Sequence, residues 1–339
     1  MERQTRHEHR LHGVHRLEST SPREGAVLNS NDATESLIQQ ARDVIDQGSK
    51  SFAAASRLFG PELRADVMLL YCWCRHCDDL TDGQELGRGT ISTATRESLD
   101  NLREQSLAAL SGNPNNELPF RALADIARRH PINRALIEAH IRGFELDVSG
   151  WHPETIDDTV RYCYHTAGTV GVIMAKMMGV HDAATLHRAS DLGIAFQLIN
   201  IARDVLEDAQ AGRSYLPAAW RKAAGLDTAD LLDSNNHERA YPLVLRLIDE
   251  AEPYYQSASI GIHALPRRAA WAIASAREIY RDIGRQIVRS GPRALSGRIY
   301  TSKAHKLWRI ATSAPAALSP RHTHLVVSRV GLWTPPEIV

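Results

Sequence analysis

The sequence predicts an all-α chain, on three counts. The two longest proline-free stretches, 62–113 and 154–216, repeat apolar residues at helical spacing: Val67, Leu70, Tyr71 and Cys74 in one, Ile194, Leu198, Ile201 and Val205 in the other. Pro61, Pro131, Pro153 and Pro217 stand where a helix can begin, because the first turn needs no N–H from its leading residue. Regular period-two alternation is nearly absent, its one candidate being "HTHLVVSRV" near the end. No fixed-period repeat and no Ser/Gly linker divides the 339 residues, so a single helical domain is expected from about 34 to 312.

Ahead of that domain, "MERQTRHEHRLHGVHRLESTSPREG" is charged and His-rich and lacks the 7–15-residue apolar segment of a signal peptide. Residues 1–33 are therefore expected to be a disordered extension. Forty Lys and Arg balance forty Asp and Glu, which leaves no global field to attract nucleic acid. Of four cysteines, Cys72, Cys74 and Cys77 crowd one stretch and Cys163 stands apart. That pattern is neither a disulfide framework nor the paired spacing of structural zinc. It suits small core residues in a reducing, cytoplasmic compartment. The longest apolar run, "AGTVGVIMAKMMGV", holds Lys176 and falls short of the ~20 residues that a bilayer span needs.

Within the domain, "GSKSFAAASRLFG" (48–60) sets Ser49, Lys50 and Ser51 ahead of a helical run. Hydroxyls, a lysine and free N–H groups there suit a phosphate as well as they suit a plain cap. Next, "YCWCRHCDDLTD" carries Asp78 and Asp82 four apart on one helix face, continuing the apolar stripe of Val67, Tyr71 and Cys74. "RYCYHTAGTVGVIMAKMMG" (161–179) spaces small residues at Gly168, Gly171, Ala175 and Gly179, which permits close helix packing or leaves room for a long apolar chain. "FQLINIARDVLEDAQAGRSYLP" places Gln197, Asn200, Asp204 and Asp208 in a polar stripe along an otherwise apolar helix. Buried carboxylates are costly unless paired or bound to metal. Two readings meet that cost: salt-bridge networks using Arg75 and Arg203, or two facing aspartate platforms that hold Mg²⁺ and, through it, a diphosphate. Either cluster alone fits the first reading. Two clusters, each with an arginine able to fork onto phosphate oxygens, favour the second.

"SKSF", "YCWCRHCDDLTD", "RYCYHTAGTVG", "AFQLINIARDVLEDA" and "GRSYLP", taken together and in order, resemble the squalene/phytoene synthase family from about Ser49 to Trp308. The resemblance implies a single-domain isoprenoid-synthase helical bundle around a central cavity. It also implies a prenyltransferase of carotenoid biosynthesis, which joins two geranylgeranyl diphosphates head to head, through a cyclopropyl diphosphate, into phytoene. Asp78 and Asp82 match the family's first aspartate-rich motif, and Asn200, Asp204 and Asp208 the second, so these would ligate Mg²⁺, or Mn²⁺ in its place. Arg75, Arg203 and Arg213 match diphosphate contacts, Ser49 and Ser51 more loosely, with Tyr71 and Gln197 on the same substrate lining. Tyr162 matches the tyrosine placed near the reacting cation. Gly48 stands where some relatives have His, and Thr166 replaces the usual Val.

Two alternatives stay open at this stage. A dehydrosqualene or squalene synthase would use the same motifs on farnesyl diphosphate, and the squalene reaction would need NADPH. No nucleotide fingerprint is present, but relatives bind NADPH without one; NADPH is not expected because the motifs resemble the phytoene-forming rather than the squalene-forming members. A non-enzymatic helical partner in a carotenoid assembly would have no reason to retain costly buried acids. Other carotenoid enzymes are the protein partners expected. "RIYTSKAHKLWRI" (298–310), with Leu307, Trp308 and Ile310, suits an interfacial surface as readily as a solvated helix end. The expected location is the cytoplasm, against the inner face of the membrane, and residues 313–339 are expected to form a flexible tail.

Overall fold

The computed structural model describes residues 30–48, 56–82, 94–297, 302, 308–314 and 328–335, and none of these is in a strand. Helix α1 (Ser30–Gly48) begins ahead of the expected boundary near 34, and α2 (Pro61–Asp82) opens on its proline. Then come α3 (Arg96–Leu110), α4 (Leu118–Arg129), α5 (Arg134–Val148) and α6 (Ile156–Cys163). Thr95, Asn133 and Thr155 cap α3, α5 and α6 by accepting a first-turn N–H, so Pro131 and Pro153 sit just outside the helices they announce. A π-helical turn, Tyr164–Gly168, leads straight into α7 (Thr169–Met177). The long α8 (Ala183–Gln210), capped by Asp182, is followed by α9 (Ala218–Ala223), α10 (His237–Ile262) and α11 (Arg267–Ser290).

Helix α8 is the axis of the bundle, packing on α7, α10, α11 and the π turn. One core gathers α1 to α5 with α7 around Trp73, Phe120 and Ile137. A second joins α6, α8 and α10 around Leu198, Val244 and Leu247. Between them lies an apolar cavity of about 360 Å³ walled by α2, α7, α8, α10 and α11. The small-residue stripe serves both of its expected purposes. A Cβ on Gly171 would stand 2.3 Å from the Ala189 carbonyl oxygen, so close packing forbids one, yet Gly171 and Ala175 also line the cavity.

Residues 328–335 differ from the flexible tail expected for 313–339. Arg329 forks onto the fully buried Asp191, and the Trp333 N–H donates to the Tyr254 hydroxyl at 3.2 Å. The Trp333 ring lies 5.1 Å from that of Tyr164. Of "HTHLVVSRV" only Ser328–Val330 are described, and they are not strand. All four cysteines are free, with Cys72, Cys77 and Cys163 buried; burial pushes the Cys72 thiol up to about 12, and the others rise for the same reason.

Candidate active site

Helices α2 and α8 bring the two acidic clusters to one place. Asp78 from α2 and Gln197, Asn200, Asp204 and Asp208 from α8 line a polar chamber of about 260 Å³, together with Arg213 and Tyr162. Asp78, Thr166 and Asn200 also line the apolar cavity, so the chamber opens onto it there. Tyr71 and Arg75 stand on the cavity side of that opening. A Cβ on Gly48 would lie 2.5 Å from the Tyr71 hydroxyl, so glycine gives that phenol its room. Burial, against the pull of Arg75, pushes Tyr71 up to about 12.

Three expected residues cannot be placed in the chamber. Ser49 and Ser51 lie outside the described residues, as does the Asp82 side chain, although Asp82 is the last residue of α2. Arg203 lines neither cavity; it forks onto Asp204, and Arg75 forks onto Asp79 at 2.8 Å. The salt-bridge reading of the acids is thus realised alongside their convergence. Helix α8 is also broken at Asp204, whose φ of −103° and ψ of 17° leave the helical region for the sparsely populated bridge.

The chamber's electrostatics test whether these residues suit a divalent cation. Burial, then the Asp204 charge, pushes Asp208 up to about 8, with Arg213 opposing. A cation between the carboxylates would relieve that crowding. The Asn200 carbonyl oxygen is buried with no hydrogen-bond partner, while its amide nitrogen donates to Gln197 at 3.2 Å, which fixes the oxygen as an acceptor without a donor. Among the described residues no three His, Cys, Asp or Glu side chains converge on a point. A hard divalent cation here would draw protein oxygens from two helices and leave coordination positions for other oxygen ligands. The residues fit.

Sequence reasoning missed Asp147 and Tyr215. The Tyr162 hydroxyl donates to Asp147 Oδ2 at 3.0 Å and the Tyr215 hydroxyl donates to Oδ1 at 2.7 Å. The Tyr162 ring stacks on Tyr215 at 4.5 Å and on Trp151 at 6.0 Å. Burial, reinforced by Asp147, drives both phenols well above their ordinary range, so both keep their protons. Tyr215 lies in the quoted "GRSYLP"; Asp147, alone on α5, has no spacing partner that would have flagged it.

A helical bundle that joins an acid chamber to a long apolar cavity defines the helical isoprenoid synthases, and the solved structures agree. A dehydrosqualene synthase superposes with a TM-score of 0.73 at 26% identity, over 83% of this chain and 96% of that one. A squalene synthase from Alicyclobacillus acidocaldarius, with a TM-score of 0.68 at 21% identity over 76% and 95%, shares the fold. The family described as squalene/phytoene synthase matches residues 45–305. The 15-cis-phytoene synthase of Enterobacter agglomerans is 44% identical over 86% of this chain and 100% of its own length. That of Paracoccus sp. (strain N81106 / MBIC 01143) is 46% identical over 89% and 98%. The chain belongs to the squalene/phytoene synthase family.

Proposed function

We propose that this protein is a phytoene synthase, a prenyltransferase that condenses two geranylgeranyl diphosphates head to head for carotenoid biosynthesis. The observation that carries the reading is identity of 44% and 46%, along nearly the whole of two relatives, with proteins that perform the 15-cis-phytoene reaction by name. Asp78, Asn200, Asp204 and Asp208 would hold Mg²⁺, with Asp82 as a further ligand and Mn²⁺ as a substitute. Bound there, the cation would neutralise the diphosphate and so ease ionisation of the allylic C–O bond.

The chain's own residues do the rest. Arg213 faces the leaving diphosphate from the chamber wall, where a guanidinium can pair with two oxygens. The apolar cavity takes the prenyl tails and keeps water from the allylic cation, which water would quench. With the Tyr162 ring stacked and its hydroxyl on Asp147, proton relay from Tyr162 to that carboxylate is the role its geometry favours. Two protons must leave, one as the cyclopropyl diphosphate forms and one after the second ionisation.

Incubation of the purified protein with each prenyl diphosphate tests this, with and without Mg²⁺, Mn²⁺ and NADPH. Phytoene from the C20 substrate with metal alone is expected, unchanged by NADPH. Asp78→Ala and Asp204→Ala should lower turnover by at least ~100-fold, as lost transition-state charge stabilisation does. A C30 product from farnesyl diphosphate as the preferred reaction would replace phytoene with dehydrosqualene or squalene. Half the parent activity in either variant would remove the metal platform.

A further inference from the structure

The cavity is apolar along most of its length, yet besides Arg75 at the chamber opening a second cation stands in its wall, far from that opening. Arg188 lines it on α8, twelve residues before Asn200, which at 1.5 Å per residue puts about 18 Å between the arginine and the acid chamber. Its stem lies against α10, where a Cβ on Gly261 would meet Arg188 Cβ at 2.8 Å. Its Nη1 donates to the Ser257 carbonyl oxygen at 3.2 Å and to the Ser257 hydroxyl oxygen at 3.1 Å. The stem forms wall and the charge is drawn out of the cavity to polar partners. One turn along α8, Asp191 has 0% exposure. The Ser257 hydroxyl donates to it, and Arg329 from the C-terminal segment forks onto both of its oxygens at 2.8 and 2.7 Å.

We propose that Arg188 is the floor that limits prenyl chain length, and that Arg329 is the positioning residue that keeps it in the wall. The proposal rests on the phytoene synthase reading for the identity of the chain it measures. Without Arg329, Asp191 would be a buried carboxylate lacking its strongest partner, a state that proteins relax wherever a cation is in reach. Arg188 is that cation, three residues back on the same helix and already sharing Ser257 with Asp191. It would swing to Asp191, leave the wall and deepen the cavity.

The test is kcat/KM for prenyl diphosphates of fifteen, twenty and twenty-five carbons. Arg188→Ala should raise the ratio of twenty-five to twenty carbons by about tenfold or more, the discrimination that a few methylenes make in an apolar pocket. Arg329→Met should shift the ratio in the same direction and Arg329→Lys should restore it. Asp191→Asn combined with Arg329→Met should also return it toward the parent value, because no carboxylate remains to draw Arg188 away. General loosening of the fold would lower all substrates alike and leave the ratio where it was. An unchanged ratio in folded Arg188→Ala overturns the floor; a shift that persists in the double variant overturns the positioning role. Should Arg329→Met fail to fold, Arg329→Gln makes the same comparison. If the parent ignores the twenty-carbon substrate, the phytoene reading fails, and the floor is then judged on the ratio between the longest chain accepted and the next one up.

Discussion

Asp147 receives hydrogen bonds from two protonated tyrosines at the edge of the acid chamber. Asp147→Asn keeps the shape of that contact and removes its basicity. We expect kcat to fall about a hundredfold, the lower end of what a positioned acid or base contributes, with KM little changed. Activity within twofold of the parent would discard the relay. A second residue-scale prediction concerns His140. Its Nδ1 lies 3.1 Å from the His165 carbonyl oxygen, which only accepts, so Nδ1 carries the proton and Nε2, buried without a partner, is a bare lone pair. Burial lowers this imidazole from its ordinary 6.5 to about 4. Above 6.5 neither folded nor unfolded chain is charged there; between 6.5 and 4 only the unfolded chain takes the proton, so stability drains away as pH falls. The loss is on the order of 3 kcal/mol by pH 4. Asp208, raised to about 8, titrates in the opposite sense, so parent and His140→Gln should be compared at each pH. The gap in their thermal midpoints should close as pH falls from 7 to 4, and a constant gap would refute the assignment. Asp78, Asn200, Asp204 and Asp208 were legible in the sequence because helical period puts each set on one face. Asp147 was not, because nothing local distinguishes one acid on α5 from a solvated one.

Elements set the precision of the site. The meeting of the π turn with α8 is backbone on backbone: a Cβ on Gly193 would lie 2.3 Å from the Ala167 carbonyl oxygen. Neither main chain can yield cheaply, so Gly193→Ala should destabilise the protein by about 1–3 kcal/mol, the range for overpacking. Thermal melts check this, and an unaltered midpoint would show that the helices can part without cost. Bulk at Gly171 strikes the Ala189 backbone before it fills any cavity, which leaves Ala175 as the cleaner place to shorten the accepted chain. Helix starts were readable from Pro61, Pro131, Pro153 and Pro217, but the caps Thr95, Asn133, Thr155 and Asp182 went unread, although they are residue types that accept an orphan N–H. The π turn at Tyr164–Gly168 and the break at Asp204 were not readable. Their residues carry no proline and keep the apolar period of plain helix, so only the tertiary contacts around them select the irregular backbone.

At the scale of the whole molecule, sequence reasoning handled the ends least well. Arg329 and Asp191 are 138 residues apart, and no local pattern announces a pairing over that distance. Another surface is open to experiment near the same end. Trp308 is 53% exposed, and the Arg309 guanidinium lies 4.6 Å from its ring centre while forking onto Asp282. No helix among the described residues is long and apolar enough to cross a membrane, while substrate and product of the proposed reaction are both greasy. We expect the protein to float with anionic vesicles and Trp308→Ala to weaken that association, as loss of an aromatic interfacial anchor does. Recovery of all the protein in the lipid-free fraction would count against a membrane-facing surface.

Asp78, Thr166 and Asn200 line both the acid chamber and the apolar cavity, to which the proposed reaction would give charge and prenyl tails respectively. So narrow a seam lets the two halves of the task diverge on separate clocks. Substitutions beyond it, around Ala175 or Arg188, can retune which substrate is measured as fitting while the ionising apparatus is inherited intact. Substitutions on the acid side strike every substrate equally. A lineage, or a designer, can therefore explore new products by editing one compartment, at no risk to the reaction that makes any product at all.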